Sequence, residues 1–415
     1  MKFQILISLI FVIGYILIIV EHQIRVNKAG VALLTGVLCW TLIFMESFPK
    51  ENLVMQYMNA HLGDIAQVLF FLLGAMTIVE LIDSYHGFKA IPNLIRTQDK
   101  RLLLWIFSLL TFFISAVLDN VTTTIVMITL ARQFLVEKED RMIFAGIIIL
   151  AANAGGAWSP IGDVTTTMLW IGNRVSAGGV IKNLFIPSLL SLLVPLSLLS
   201  FRIKGTIIKR PPIESSNKII GERRILVLGI LSIIFVPILW TTTGIPPYMA
   251  VMLGMSLMWI FTDMLQKEQH ILRIPYMLTK IDITSLLFLL GVLMAVAALE
   301  TASILQHIPN FMEKYIGNLD LTILLMGIIS AVLDNVPLTA SIMGMYDPAR
   351  FPIDSKIWEM TAYCVGIGGS LLIIGSAAGV VAMGMEKIKF GWYLKRFTFP
   401  ALLGYMLGVA LIIFK

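Results

Sequence analysis

The peptide Ser115-Ala-Val-Leu-Asp119-Asn120-Val121 recurs 215 positions later as Ser330-Ala-Val-Leu-Asp334-Asn335-Val336. Each copy interrupts an apolar region, 102–135 and 320–346, with a carboxylate beside an amide. Other matches keep nearly the same spacing. Phe71-Leu-Leu-Gly74 returns as Phe288-Leu-Leu-Gly291, and Gly155-Gly156 with Gly162 returns as Gly368-Gly369 with Gly375. Gly36 and Trp40 return roughly as Gly254 and Trp259. A repeat this long is a duplicated half-protein and not a solenoid.

The composition around these peptides is that of a membrane protein. Of 415 residues 58% are hydrophobic and 13% charged, where a soluble domain carries about 25% charged residues. Mean hydropathy is +0.89. A soluble enzyme, a disordered chain and a nucleic-acid-binding module are thereby excluded. Cys39 and Cys364 lie in apolar runs and imply no disulfide framework.

A span needs about 20 mostly apolar residues. Ten stretches qualify: 3–20, 29–45, 65–83, 142–172, 183–201, 223–240, 246–263, 283–300, 357–385 and 397–414. The first resembles a secretory leader, but Glu21-His22-Gln23 follows it instead of a small-residue cleavage site. It also has a counterpart at 223–240, so it is counted as a span.

Lys and Arg decide the parity, because positive loops favour the cytoplasm. If 102–135 and 320–346 enter and leave on one side as re-entrant hairpins, one face holds 23 Lys+Arg and the other 8. If each crosses once, the split falls to 18 and 13. The hairpin arrangement is the better one. It puts both termini outside and the polar 202–224 loop in the cytoplasm. The expected fold is an all-α polytopic membrane protein of two repeats, 1–201 and 223–415, joined by a linker at 202–222. Each repeat has five spans, one hairpin and a broken helix. Five is odd, so the repeats insert with opposite orientation, as in secondary transporters with a midplane site.

Three polar constellations lie at membrane depth. The first is Ser115, Asp119, Asn120, Thr122, Thr123 and Thr124, at the first hairpin tip. An intramembrane carboxylate is costly and serves an ion or proton path. Amide and hydroxyl oxygens beside it are hard donors for a small cation. The plainer role for Asp119 is to cap the next helix. The second is Asn153-Ala-Gly-Gly-Ala-Trp-Ser-Pro160-Ile-Gly162-Asp163-Val-Thr165-Thr166-Thr167. Its glycines and proline cannot continue a helix. The 142–172 span is therefore expected as two half-helices, with Asp163 opening the second as a cap, a ligand or both.

The third constellation is the counterpart of these two. It keeps Ser330, Asp334 and Asn335, has Pro337 in place of Thr122, and continues with Thr339 and Ser341. The second broken span, Gly366 to Ala378, carries Ser370, and its Ser376 aligns with Asp163. Three intramembrane aspartates make a site that one monovalent cation neutralises only in part, leaving the rest to protons. Burial raises an aspartate's proton affinity and a bound cation lowers it. Cation and proton then compete, and competition yields exchange if only a neutralised site reorients. Asp119 and Asp163 are expected as the main ligands, with Asp334 completing the charge.

Other acids and the histidines read more blandly. Glu80 could line an inner approach, while Glu300 reads as a surface acid. His22, His61, His86, His270 and His307 lie at span ends or in loops.

At the level of these motifs the chain resembles the NhaD-type sodium/proton antiporters of the ion transporter superfamily. The match runs in order over nearly the whole chain. The resemblance implies inverted repeats, homodimers with a scaffold part and a moving transport part, and exchange of Na⁺ or Li⁺ for H⁺ in the cell (inner) membrane. Its polar residues carry over to Ser115, Asp119, Asn120, Asn153, Asp163, Thr165, Thr166, Ser330, Asp334 and Asn335. No cofactor and no nucleic-acid partner is expected beyond the transported ions and the bilayer. The competing transporter reading is a sodium-coupled dicarboxylate symporter, whose hairpin tips would carry Ser-Asn-Thr. An aspartate there would repel a dianion. An intramembrane aspartyl protease needs paired aspartates sharing a proton and a Tyr-Asp partner that no span supplies. No phosphate-binding loop points to ATP-driven pumping.

Overall fold

The computed structural model describes residues 2–415 except 20–25, 47–50, 86, 88–96, 204, 207–220, 266–272, 306–313 and 334. Asp334, His22, His86, His270 and His307 therefore lie outside the described residues.

The first half runs α1 (Lys2–Ile19), α2 (Lys28–Glu46), α3 (Glu51–Ser84), α4 (Lys100–Ser115), α5 (Asn120–Phe134), α6 (Lys138–Ala157), α7 (Val164–Ile171) and α8 (Ala177–Ser200). The second runs α9 (Glu222–Thr243), α10 (Pro247–Leu265), the short α11 (Ile274–Leu278), α12 (Ile283–Thr301), α13 (Leu319–Ile329), α14 (Asn335–Met345), α15 (Lys356–Gly368) and α16 (Ala377–Glu386). It ends with α17 (Phe390–Tyr393), which passes through a π-turn (Leu394–Thr398) into α18 (Phe399–Ile413). Among the described residues the chain is helical without strands, and eight helices are long and apolar enough to cross a membrane.

Both interruptions expected from the repeated peptide are present. Helix α4 stops at Ser115 and α5 restarts at Asn120; α13 stops at Ile329 and α14 restarts at Asn335. Arms of 11 residues in the second pair extend about 16 Å at 1.5 Å per residue. That is about half of a ~30 Å hydrocarbon core, so neither arm crosses alone. The glycine-rich spans are also broken. Residues 158–163 separate α6 from α7, and 369–376 separate α15 from α16.

One expected span differs in extent. The hydrophobic run 65–83 is the C-terminal part of a 34-residue helix that starts at Glu51. Hydropathy marks the stretch fit for lipid, while the polar 51–64 segment is helical without being apolar. The expected span 357–385 exists as pieces of 13 and 10 residues.

Packing divides the helices into two groups. In one, α2 crosses α12 and α3 packs on α10, with α1 and α9 alongside. Gly36 and Gly291 permit the first crossing, since a Cβ on Gly36 would come within 2.8 Å of the Gly291 carbonyl oxygen. Trp40 Nε1 donates to the Met294 carbonyl at 2.9 Å beside it. Gly74 faces Val251 at the second crossing. The helix pairing is alike under the sequence repeat, α2 with α12 and α10 with α3, although Gly254, the match of Gly36, faces Ser232 of α9 and not Gly74.

In the other group each hairpin lies on a broken helix. Helices α4 and α5 pack on α6, α13 and α14 on α15, and α8 on α18. Ser115 Oγ donates to the Ala152 carbonyl at 2.7 Å, and Ser330 Oγ to the Val365 carbonyl at 2.9 Å. A Cβ on Gly155 would strike the Phe112 carbonyl, and one on Gly368 the Gly327 carbonyl. The repeated serines and glycines are thus the docking points of hairpin on broken helix, used alike in both halves.

Candidate functional site

Four half-helices end and four begin where these breaks meet. Helices α4, α6, α13 and α15 finish there, and α5, α7, α14 and α16 start. Helix C-termini offer carbonyl oxygens and partial negative charge; N-termini offer N–H groups and partial positive charge. The meeting point therefore holds backbone groups of both signs, and its side chains decide what binds.

Asp163 is at the centre, 3% exposed. It occupies the N-cap position of α7 yet makes no side-chain cap bond to that helix. Its carboxylate instead accepts from two amides. Asn120 Nδ2 donates to Oδ1 at 2.9 Å and Asn335 Nδ2 to Oδ2 at 3.3 Å. Asn120 Nδ2 also lies 3.2 Å from Asn153 Oδ1. Asn153 Nδ2 donates to the Ile149 carbonyl at 3.0 Å and to Ser376 Oγ at 3.2 Å, and Ser376 caps α16 through the Gly379 N–H. One network thus joins Asn120, Asn153, Asp163, Asn335 and Ser376, each less than a tenth exposed. Gly366 leaves room beside it, since a Cβ there would come 3.4 Å from Asp163 Oδ2.

The remaining expected residues divide by what their polar atoms do. Asp119 caps α5: Oδ1 accepts from the N–H of Val121 and of Thr122, both at 2.9 Å, and Oδ2 from Thr122 Oγ1 at 2.6 Å. It is half-buried and turned onto its own helix, next to Asn120. Ser115 and Ser330 hold backbone as described. Thr166 Oγ1 donates to the Asp163 carbonyl at 3.0 Å. Ser370 Oγ donates to its own helix at Ile367, outside the network. Thr123, Thr124 and Thr165 are buried with hydroxyl oxygens that have no hydrogen-bond partner among the described residues. Leaving a buried hydroxyl unsatisfied is costly, and these three are the spare oxygen donors of the region.

Two features escaped the sequence reading. Glu300 is not a surface acid: it is half-buried and lines a cavity of about 360 Å³ with Asp64, Arg174 and His61. The cavity lies between α3 and α12 on one side and the far turns of α7 and α14 on the other, so it approaches the central network without including it. Beyond the opposite end of the network, Glu386 at the end of α16 is 4% exposed. Arg132 Nε donates to its Oε1 at 2.6 Å, and Arg141 Nε to its Oε2 at 3.1 Å. Neither feature has a local sequence signal, because the partners lie far apart along the chain. Glu80 pairs with Lys280 at 3.2 Å.

The sequence has clear relatives. A family profile described as "Citrate transporter" (CitMHS) matches residues 15–361. "Sodium/proton antiporter 2" of Arabidopsis thaliana is 42% identical over 97% of both chains. "Sodium/proton antiporter 1" of the same plant is 43% identical over 97% of this chain and 71% of its own length. "Na(+)/H(+) antiporter NhaD" of Vibrio cholerae is 29% identical over 97% of this chain and 90% of its own. With its multi-pass helical fold, the chain belongs to the CitMHS family of membrane transporters and is of the NhaD type within it.

Proposed function

We propose that the protein exchanges Na⁺ (or Li⁺) for H⁺ by alternating access, with Asp163 as the carboxylate that cation and proton share. The observation that carries this reading is the orientation of Asp163: a buried acid at a helix start that forgoes its own cap bond and is presented to the amides of both hairpins. The amides favour the ionised form, and burial opposes it. A cation and a proton are then alternative ways to neutralise one group. Asn120, Asn153 and Asn335 supply amides to the network, and Thr123 and Thr165 are spare hydroxyls. Asp119 caps α5 and so orients Asn120; Asp334 completes the charge. The relatives' names, sodium/proton antiporters, support the same pair of substrates.

The two repeats are inverted, both termini lie outside and the 202–224 loop lies in the cytoplasm of an inner-membrane protein. The α2–α12 and α3–α10 group is the scaffold, the site of homodimer contact, and the hairpin group moves against it. The family description and the helix N-termini at the site favour a second reading, anion transport, but a buried carboxylate stands where the anion would sit. Proteoliposomes loaded with a pH-sensitive dye discriminate. Collapse of an imposed pH gradient on adding Na⁺ or Li⁺ alone supports exchange; collapse or uptake that requires citrate or a dicarboxylate replaces it with symport.

A further inference from the structure

The cavity beside α7 and α14 holds opposite charges that do not touch. Asp64 on α3 and Glu300 on α12 contribute carboxylates, and Arg174, just after α7, contributes a guanidinium. Glu300 lies within electrostatic range of Arg174, Asp64 and His61. Among the described residues neither Glu300 nor Asp64 makes a side-chain hydrogen bond or ion pair, and the buried Arg174 Nε has no hydrogen-bond partner. Arg174 is instead stacked on Trp358, its guanidinium carbon 5.1 Å from the ring centroid. It also senses Asp347, which is exposed and does not line the cavity.

Counted as formal charges, Asp64, Glu300 and Arg174 give the cavity a net −1. One monovalent cation balances that charge. Attraction to that net charge grows only in proportion to a cation's charge, whereas the cost of dehydrating the cation grows with the square of its charge, so a site weakened to −1 repays a monovalent ion better than a divalent one. Without Arg174 the same walls would present two carboxylates and several neutral oxygens, the donor set that hard divalent cations prefer. Arginine suits the opposing role better than lysine. It stays protonated throughout the working pH range and is held by stacking on an aromatic face.

Resting on the cation-exchange reading above, we infer that Arg174 is a specificity-determining residue: its fixed charge keeps Mg²⁺ and Ca²⁺ out of the vestibule leading to Asp163, while Na⁺ and Li⁺ pass.

The test is Na⁺-driven exchange in proteoliposomes, titrated with Mg²⁺ or Ca²⁺ on each face in turn. Arg174→Gln should become sensitive to divalent inhibition at concentrations at least about tenfold below the wild type, from the face carrying Asp64 and Arg174 alone. Arg174→Lys, which keeps the charge, should retain the wild-type response, and adding Asp64→Asn to Arg174→Gln should restore it. Gln67→Glu adds a carboxylate to the cavity wall with Arg174 and its stacking intact, so it should gain the same sensitivity even if Arg174→Gln misfolds. Wild-type divalent response in Gln67→Glu and in a folded Arg174→Gln would overturn the inference and leave Na⁺/H⁺ exchange standing. Absence of Na⁺/H⁺ exchange in the wild type would overturn both.

Discussion

Asn120 and Asn335 occupy equivalent positions in the two halves of the chain, and they donate to opposite oxygens of one carboxylate, Asp163, at 2.9 and 3.3 Å. Duplication would have given each half its own acid at the broken helix. The second half has Ser376 there, which caps α16 and accepts from Asn153. Both hairpins therefore converge on Asp163, and the two asparagines become unequal partners of it.

That relationship sets the first expectation. A hydrogen bond to a charged group is worth about 1.5–3 kcal/mol, so removing either amide disfavours the ionised carboxylate. Protons are then held more tightly, and exchange requires a higher pH. In Asn120→Ala and Asn335→Ala the pH profile of Na⁺ exchange should move to the alkaline side by about one unit or more, at ~1.4 kcal/mol per unit. The shift should be larger for Asn120, whose bond is shorter and which also contacts Asn153. An acid shift, or identical profiles in both variants and the wild type, counts against the arrangement.

Asp119 separates charge from capping. Asparagine is as good an N-cap as aspartate, whereas alanine loses about 1 kcal/mol. Asp119→Asn should keep wild-type thermal stability and thereby isolate the effect of the charge on exchange. Asp119→Ala should lower the melting temperature as well and disturb Asn120 beside it. Equal melting temperatures for the two variants, measured in the same detergent, would show that the cap bonds are unimportant.

The hairpin tips and the broken helices were legible in the sequence because each carries a polar or helix-breaking signal inside an apolar run. The restart at Asn120 and the break at 158–163 follow from such signals. The direction of the carboxylates was not legible. Asp119 and Asp163 are both acids at N-cap positions, yet one bonds its own helix and the other turns into the core. Backbone entry differs at the two sites, φ −63° at Asp119 and −144° at Asp163, and Gly156 packs against the Asp163 Cβ. Only tertiary contact fixes such a choice. Glu300 was misread for the same reason: its cavity is built by helices from both halves.

Glu386 illustrates a contact from residues 254 and 245 positions away. A buried carboxylate between two arginines is costly to break from one side. Glu386→Gln should lower the melting temperature more than Arg141→Gln, because it weakens both pairs at once while Arg132 stays bonded in the arginine variant. Thermal shift of the purified proteins measures this, and the reverse order would show that the arginines are held by something other than Glu386.

The most direct measurement compares wild type and Asp163→Asn in dye-loaded proteoliposomes under an imposed pH gradient. Na⁺ should collapse the gradient in the wild type, with half-saturation rising as pH falls because protons compete for the same group. In folded Asp163→Asn the response should vanish for Na⁺ and Li⁺ alike. Undiminished Na⁺-driven exchange in Asp163→Asn would contradict the claim that cation and proton share this carboxylate.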